Sequence, residues 1–133
     1  MKVDIKTQLS IVIPNQPGQI AKVTGAMMKH KINIGSLMFV DTTSQGVVRF
    51  VVDDAKEAKK LLENKGFFVA AAEVAVVEVP NKVGALYHIS KALGDAGINI
   101  EYAYASDNPN VDCTRDTFKL SDVARGVEII EKL

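Results

Sequence analysis

Between Thr7 and Ile13 the chain alternates, with Leu9, Ile11 and Ile13 apolar, and the alternation ends at Pro14, which has no N–H for a sheet ladder. This pattern predicts a first strand. The apolar positions then change to Ile20, Val23 and Met27, a helical spacing that predicts a helix from the Pro17-Gly18 turn to about His30, with Pro17 tolerated where its missing N–H is not needed. Asn33 to Val40 is β-rich, Thr42 to Gly46 reads as a turn and Val47 to Val52 is a second apolar run, together a hairpin. Asp54 with Glu57 predicts a capped start for a helix carrying Ala58, Leu61 and Leu62 that stops at Gly66. Phe67 to Ala71 closes a β-α-β-β-α-β order.

The order then recurs. Pro14-Asn15-Gln16-Pro17-Gly18-Gln19-Ile20 returns as Pro80-Asn81-Lys82-Val83-Gly84-Ala85-Leu86, and Ile32-Asn33-Ile34 as Ile98-Asn99-Ile100, at the same offset. Ile20, Val23 and Met27 fall on Leu86, Ile89 and Leu93, so a whole folding unit is duplicated. The second copy reads as a strand from Glu73 to Val79, a helix from Gly84 to Ala96 stopped by Gly97, and a strand from Asn99 to Ala105. After a longer turn at Ser106-Asp107-Asn108-Pro109-Asn110, Thr117 to Leu120 is the return strand and Ser121 caps a helix holding Val123, Val127 and Ile130. The expected fold class is α+β, two tandem ferredoxin-like units over 7–71 and 73–133. Aligning Phe118 on Phe50 places Leu133 opposite Lys65, so the second unit lacks its terminal strand. That leaves Val74 to Val79 as a bare apolar edge with two candidate covers. One is Lys2 to Lys6, where Val3 and Ile5 alternate; the other is the same edge of a second molecule in a two-fold dimer. The dimer is favoured, because Lys2 to Lys6 runs straight into the first copy's own strand.

A hydrophobic content of 47% with 24% charged residues suits a globular chain. Its 16 basic and 16 acidic residues cancel, which argues against nucleic acid as a partner. No apolar run approaches the roughly 20 residues that span a bilayer, and Met1-Lys2-Val3-Asp4-Ile5-Lys6 alternates charge where a signal peptide would be apolar. A cytoplasmic protein without membrane contact is expected. The single Cys113 forms neither an internal disulfide nor a cysteine cage, so no metal or other cofactor is expected.

The chemistry that the pattern does offer lies at the turns. A glycine opening a helix leaves backbone N–H groups unpaired at the positive end of the helix dipole, a place for a carboxylate. Gly18 and Gly84 present no side chain to block it. Asn15 and Asn81 can offer an amide to the other end of a zwitterion or cap the turn, the latter being the stronger reading for each taken singly. Asn33 and Asn99 are out of place in a strand, though a helix-to-strand corner also suits Asn. Catalysis finds little support. His30 and His88 have no Ser or Cys at matching positions, Asp53-Asp54 reads as a helix cap, and Asp112 with Cys113 is no metal-ligand set.

With Pro-Asn-x-x-Gly-x-[Ile/Leu], an apolar helix and Ile-Asn-Ile entering a strand, all in a ferredoxin-like order, the chain resembles the ACT domain family of regulatory amino-acid-binding modules. From about Thr7 to Leu133 it is similar to the small stand-alone tandem-ACT proteins, on Asn15 to Gly18, Ile32 to Ile34, Asp41-Thr42 and Val52 to Asp54. The resemblance implies sheets paired side by side and ligand roles at the interface for Asn15, Gly18 and Asn33 and for Asn81, Gly84 and Asn99. The second copy departs from the pattern: Val83 replaces Pro before Gly84, and Asp112 to Asp116 is polar where the family has an apolar strand. The function this implies is a non-catalytic sensor, likewise a homodimer, that binds a free L-amino acid between ACT domains. The alternative is a trans-acting regulatory subunit or interaction module on an amino-acid biosynthetic enzyme. A small acylphosphatase-like hydrolase ranks third, since that family places an Arg in the loop where this chain has Asn15-Gln16-Pro17.

Overall fold

The computed structural model describes residues 1–42, 44–106 and 111–133. The elements run β1 (Val3–Pro14), α1 (Gln19–Lys29), β2 (Ile34–Asp41), β3 (Gln45–Val52), α2 (Ala55–Asn64), β4 (Val69–Pro80), α3 (Ala85–Asp95), β5 (Ile100–Tyr104), β6 (Cys113–Leu120) and α4 (Val123–Glu131). They form two compact units, one of Thr7–Ala72 and one of Met1–Lys6 with Glu73–Leu133.

In the first unit the strand order is β2-β3-β1-β4, with β3 antiparallel to both neighbours, Leu9 opposite Phe50 and Phe50 opposite Leu37. The alternating residues Leu9, Ile11 and Ile13 and their partners Val48, Phe50 and Val52 turn one sheet face inward. Val23 and Met27 of α1 and Ala58 and Leu62 of α2 bury against that face. The 3.6-residue apolar stripe of each helix and the two-residue period of each strand therefore meet in one core.

The second unit repeats this core with Val77, Val79, Ile89, Leu93, Phe118, Leu120 and Ile130. Its fourth strand comes from the beginning of the chain. The Lys2 carbonyl accepts a hydrogen bond from the Glu78 N–H at 2.9 Å, and Lys2 Nζ lies 3.8 Å from Glu78 Oε1. Met1 and Val3 pack on the second core as Phe67 and Val69 do on the first. The Met1 nitrogen lies 3.3 Å from the Ile130 carbonyl, and in the first unit Phe67 N–H donates to Leu62, the residue matching Ile130, at 3.1 Å. Lys2 to Lys6 thus takes the edge for which a second molecule was expected. The reason is length: β1 has 12 residues, about 40 Å of strand, so its first part serves one unit and its last part the other.

Local details differ from the sequence expectations. Asp122, not Ser121, caps α4, its carboxylate accepting from Arg125 N–H at 3.1 Å, while Asp54 caps α2 through Glu57 N–H as its spacing predicts. Strand β6 begins at Cys113 rather than Thr117, and Asp107 to Asn110 of the long turn lie outside the described residues.

The early start of β6 buries a carboxylate. Asp116 pairs with Val77 and is 5% exposed, at the position where the first unit holds Val48. Burial pushes its carboxyl above the ordinary 3.8, and the Thr114 hydroxyl, donating to Oδ1 at 2.7 Å, pulls partly the other way. A raised folded-state pKa means that the folded chain holds this proton more tightly than the unfolded one. The associated stability is present below the ordinary value and is lost as pH rises through the raised one. Asp116→Asn is therefore expected to raise the melting temperature at pH 7, with a gain that shrinks on acidification, as melting curves across that range would show.

Candidate functional site

In the first unit the chain leaves β1 at Pro14 and turns at once. Asn15 N–H donates to Ser44 at 3.1 Å and the Asn15 side chain reaches the Thr42 carbonyl at 3.4 Å, tying the turn to the β2-β3 hairpin. Gly18 then caps α1 with φ 84° and no side-chain cap. A Cβ at Gly18 would meet nothing within 4 Å, so it is the left-handed backbone, not lack of space, that calls for glycine. Gln19 N–H is held by the Gln16 carbonyl at 3.4 Å and Lys22 N–H by Gly18 at 3.2 Å. The N–H groups of Ile20 and Ala21, lacking acceptors within the helix, face an open approach.

The second unit reproduces the arrangement. Asn81 N–H donates to Asp112 at 2.8 Å and its side chain to the Val111 carbonyl at 3.4 Å. Gly84 caps α3 at φ 88°, again without a side-chain cap, and Val83 is fully exposed before it. The capping role considered for Asn15 and Asn81 is thus present in the structure, and among the described residues the Asn15 side-chain carbonyl accepts no hydrogen bond.

Asn33 and Asn99 stand just outside their strands at helix-to-strand corners. Asn33 N–H donates to Asp53 Oδ1 at 3.1 Å while its carbonyl accepts from Asp53 N–H at 3.2 Å. Asn99 repeats this with Ser121, at 2.9 Å to Oγ and 3.0 Å from Ser121 N–H. Asp53 and Ser121 each stand one residue before the true cap and immobilise the corner instead, their side-chain oxygens accepting from the asparagine N–H. Both Asn side chains are exposed and hold no hydrogen bond among the described residues.

Within one unit the predicted residues divide between two ends of the sheet. Pro14 pairs with Gln45 at the hairpin end, whereas Ile34 pairs with Val52 at the other. Helix α1, with 11 residues and so about 16 Å long, separates Gly18 from the Asn33 corner. Asn15 and Gly18 are brought together; Asn33 is not brought to them, and the second unit separates Asn99 from Asn81 and Gly84 in the same way. No single amino acid reaches both ends of one unit.

Among the described residues no group of three or more His, Cys, Asp or Glu is placed to hold a metal ion, and no helix is long and apolar enough to cross a membrane. The described elements form two ferredoxin-like units, each with a glycine-opened helix start beside a turn asparagine. The profile of the ACT domain pair matches residues 3–132, and the chain belongs to that family. Among solved structures it is similar to protein BT0572 from Bacteroides thetaiotaomicron, at 28% identity and TM-score 0.89, over 98% of this chain and 89% of that one. It shares its fold with the regulatory subunit of aspartate kinase from Thermus thermophilus, at 19% identity and TM-score 0.72, over 99% and 97% of the two chains. The corresponding subunit from Thermus flavus gives 20% identity and TM-score 0.69 over 98% and 94%. No curated protein matches at a significant level.

Proposed function

We propose that the protein binds a free L-amino acid and acts as a non-catalytic regulatory sensor. The observation that carries this reading is the duplicated helix start, at Gly18 and Gly84, with open first-turn amides beside an asparagine. The ligand carboxylate sits on the amides of Ile20 and Ala21, and its ammonium meets the Asn15 carbonyl oxygen. The second amide comes from another molecule. In the first unit β2 is the edge strand. An antiparallel two-fold pairing of two such edges brings Asn33 of one molecule toward the Gly18 turn of the other, so that a homodimer completes the site. With few heavy atoms to contribute, such a ligand binds in the micromolar to millimolar range, about −4 to −8 kcal/mol.

The test is complementation. Asn33→Ala removes hydrogen bonds to a charged group, worth about 1.5 to 3 kcal/mol, and is expected to weaken binding roughly 10 to 150-fold by calorimetry. Gly18→Val, which strains the left-handed cap and covers the amides, is expected to do the same. Mixing the two variants restores one intact site per mixed dimer, because wild-type Gly18 on one chain then faces wild-type Asn33 on the other. Unaltered affinity in Asn33→Ala, or a mixture as inactive as its parts, rejects the shared site. A second reading, in which the amino acid modulates docking on a biosynthetic enzyme, draws on the fold shared with aspartate kinase regulatory subunits. Capture of such an enzyme in an amino-acid-dependent manner would favour it.

A further inference from the structure

The overall neutrality of the chain conceals an uneven distribution. Thr7–Ala72 carries eight basic and five acidic residues, and the other unit eight basic and eleven acidic. Part of the basic excess converges on one groove of about 620 Å³ along α1, on the helical side of the first unit. Lys22 and Lys29 stand two turns apart on α1 with Gly25 and Ala26 between them, Lys65 enters from the end of α2, and Phe67 forms an apolar wall. A Cβ at Gly25 would meet nothing within 4 Å, so the floor between the lysines is open. None of the three lysines has a carboxylate within ion-pair distance among the described residues.

The duplication supplies an internal comparison. The matching groove of the second unit, about 450 Å³, has Asp95 where the first has Lys29, Leu133 where it has Lys65, and Lys91 where it has Gly25. There Lys91 is neutralised by Asp95 at 2.7 Å. The second groove is smaller and pairs its central lysine with a carboxylate, whereas the first is lined by three lysines and no acidic residue. Anionic oxygens clustered on one ligand can pair with these lysines together, and the volume lies within the roughly 300 to 1,000 Å³ of small-molecule sites.

We propose that this groove binds a small organic polyanion, with its adjoining anionic groups among Lys22, Lys29 and Lys65 and a planar part against Phe67. The groove adjoins the Gly18 helix start through Gln19 and Ala21, and the lysines and Phe67 line it further along α1. Two probes address it, tripolyphosphate and ATP, titrated into the full chain at low ionic strength and followed by amide chemical shifts. Tripolyphosphate is expected to shift Gly25, Ala26 and Lys29 more than Ile20 and Ala21. Lys29→Gln with Lys65→Gln, both at exposed positions, is expected to weaken it roughly tenfold, and the control Lys56→Gln with Lys60→Gln by less than about twofold. ATP is expected to bind several-fold more tightly than tripolyphosphate. Absence of binding, or equal losses in the two double variants, overturns the site; equal affinity for the two probes overturns the part given to Phe67.

Discussion

Removal of Met1–Lys6 is expected to destabilise the unit formed with Glu73–Leu133 by about 3 kcal/mol or more. Met1 and Val3 are half-buried on the second core, each contributing about half of the 1.5 to 3 kcal/mol of a fully buried apolar side chain. The Glu78 N–H also loses the Lys2 carbonyl, a net loss of about 1 kcal/mol. Against a total stability of roughly 5 to 15 kcal/mol, this is a large fraction. Hydrogen exchange gives the local readout: amides from Val74 to Glu78 are expected to lose protection while those of Val47 to Val52 change less. The bared edge of β4 should also make the truncated chain prone to aggregation. Truncation that leaves β4 exchange and melting unchanged would show that another segment covers this edge. Val3→Asp tests the same contact without shortening the chain, through the burial of an unpaired carboxylate.

Phe50→Ala and Phe118→Ala are each expected to cost about 3 to 5 kcal/mol, measured by denaturant unfolding. The two rings occupy matching positions on β3 and β6 and are 0% and 1% exposed. Each is enclosed by the two helices of its own unit, so truncation leaves a cavity that the surrounding aliphatic side chains close only in part. Exchange protection is expected to fall most in the first core for Phe50→Ala and in the second for Phe118→Ala. A loss below about 1 kcal/mol at either position would mean that its core closes over the missing ring and is not packed as described.

Much of this architecture was legible in the chain. The change from a two-residue period at Leu9, Ile11 and Ile13 to a helical one at Ile20, Val23 and Met27 specifies which face of each element is apolar. The repeat of that change from Pro80 onward specifies a second unit of the same kind. Asp54 with Glu57, and glycine at 18, 66, 84 and 97, mark helix boundaries through local backbone chemistry, and all four glycines have positive φ. These features are legible because their causes act over a few residues.

What tertiary structure alone decided involves residues far apart in sequence. The alternation of Val3 and Ile5 made Lys2 to Lys6 one of two candidate covers for Val74 to Val79, and its pairing with Glu78 follows from the length of β1. The shift of the cap from Ser121 to Asp122 was decided by Asn99, whose N–H engages the Ser121 hydroxyl from across a helix-to-strand corner. The site residues show the same division. Asn15 and Gly18 are neighbours in sequence and remain so in space, whereas Asn33 follows a helix that carries it to the opposite end of the sheet. Local pattern determined what each element is. Which elements share an edge or an end was set by strand register and helix length, through packing that no short segment contains.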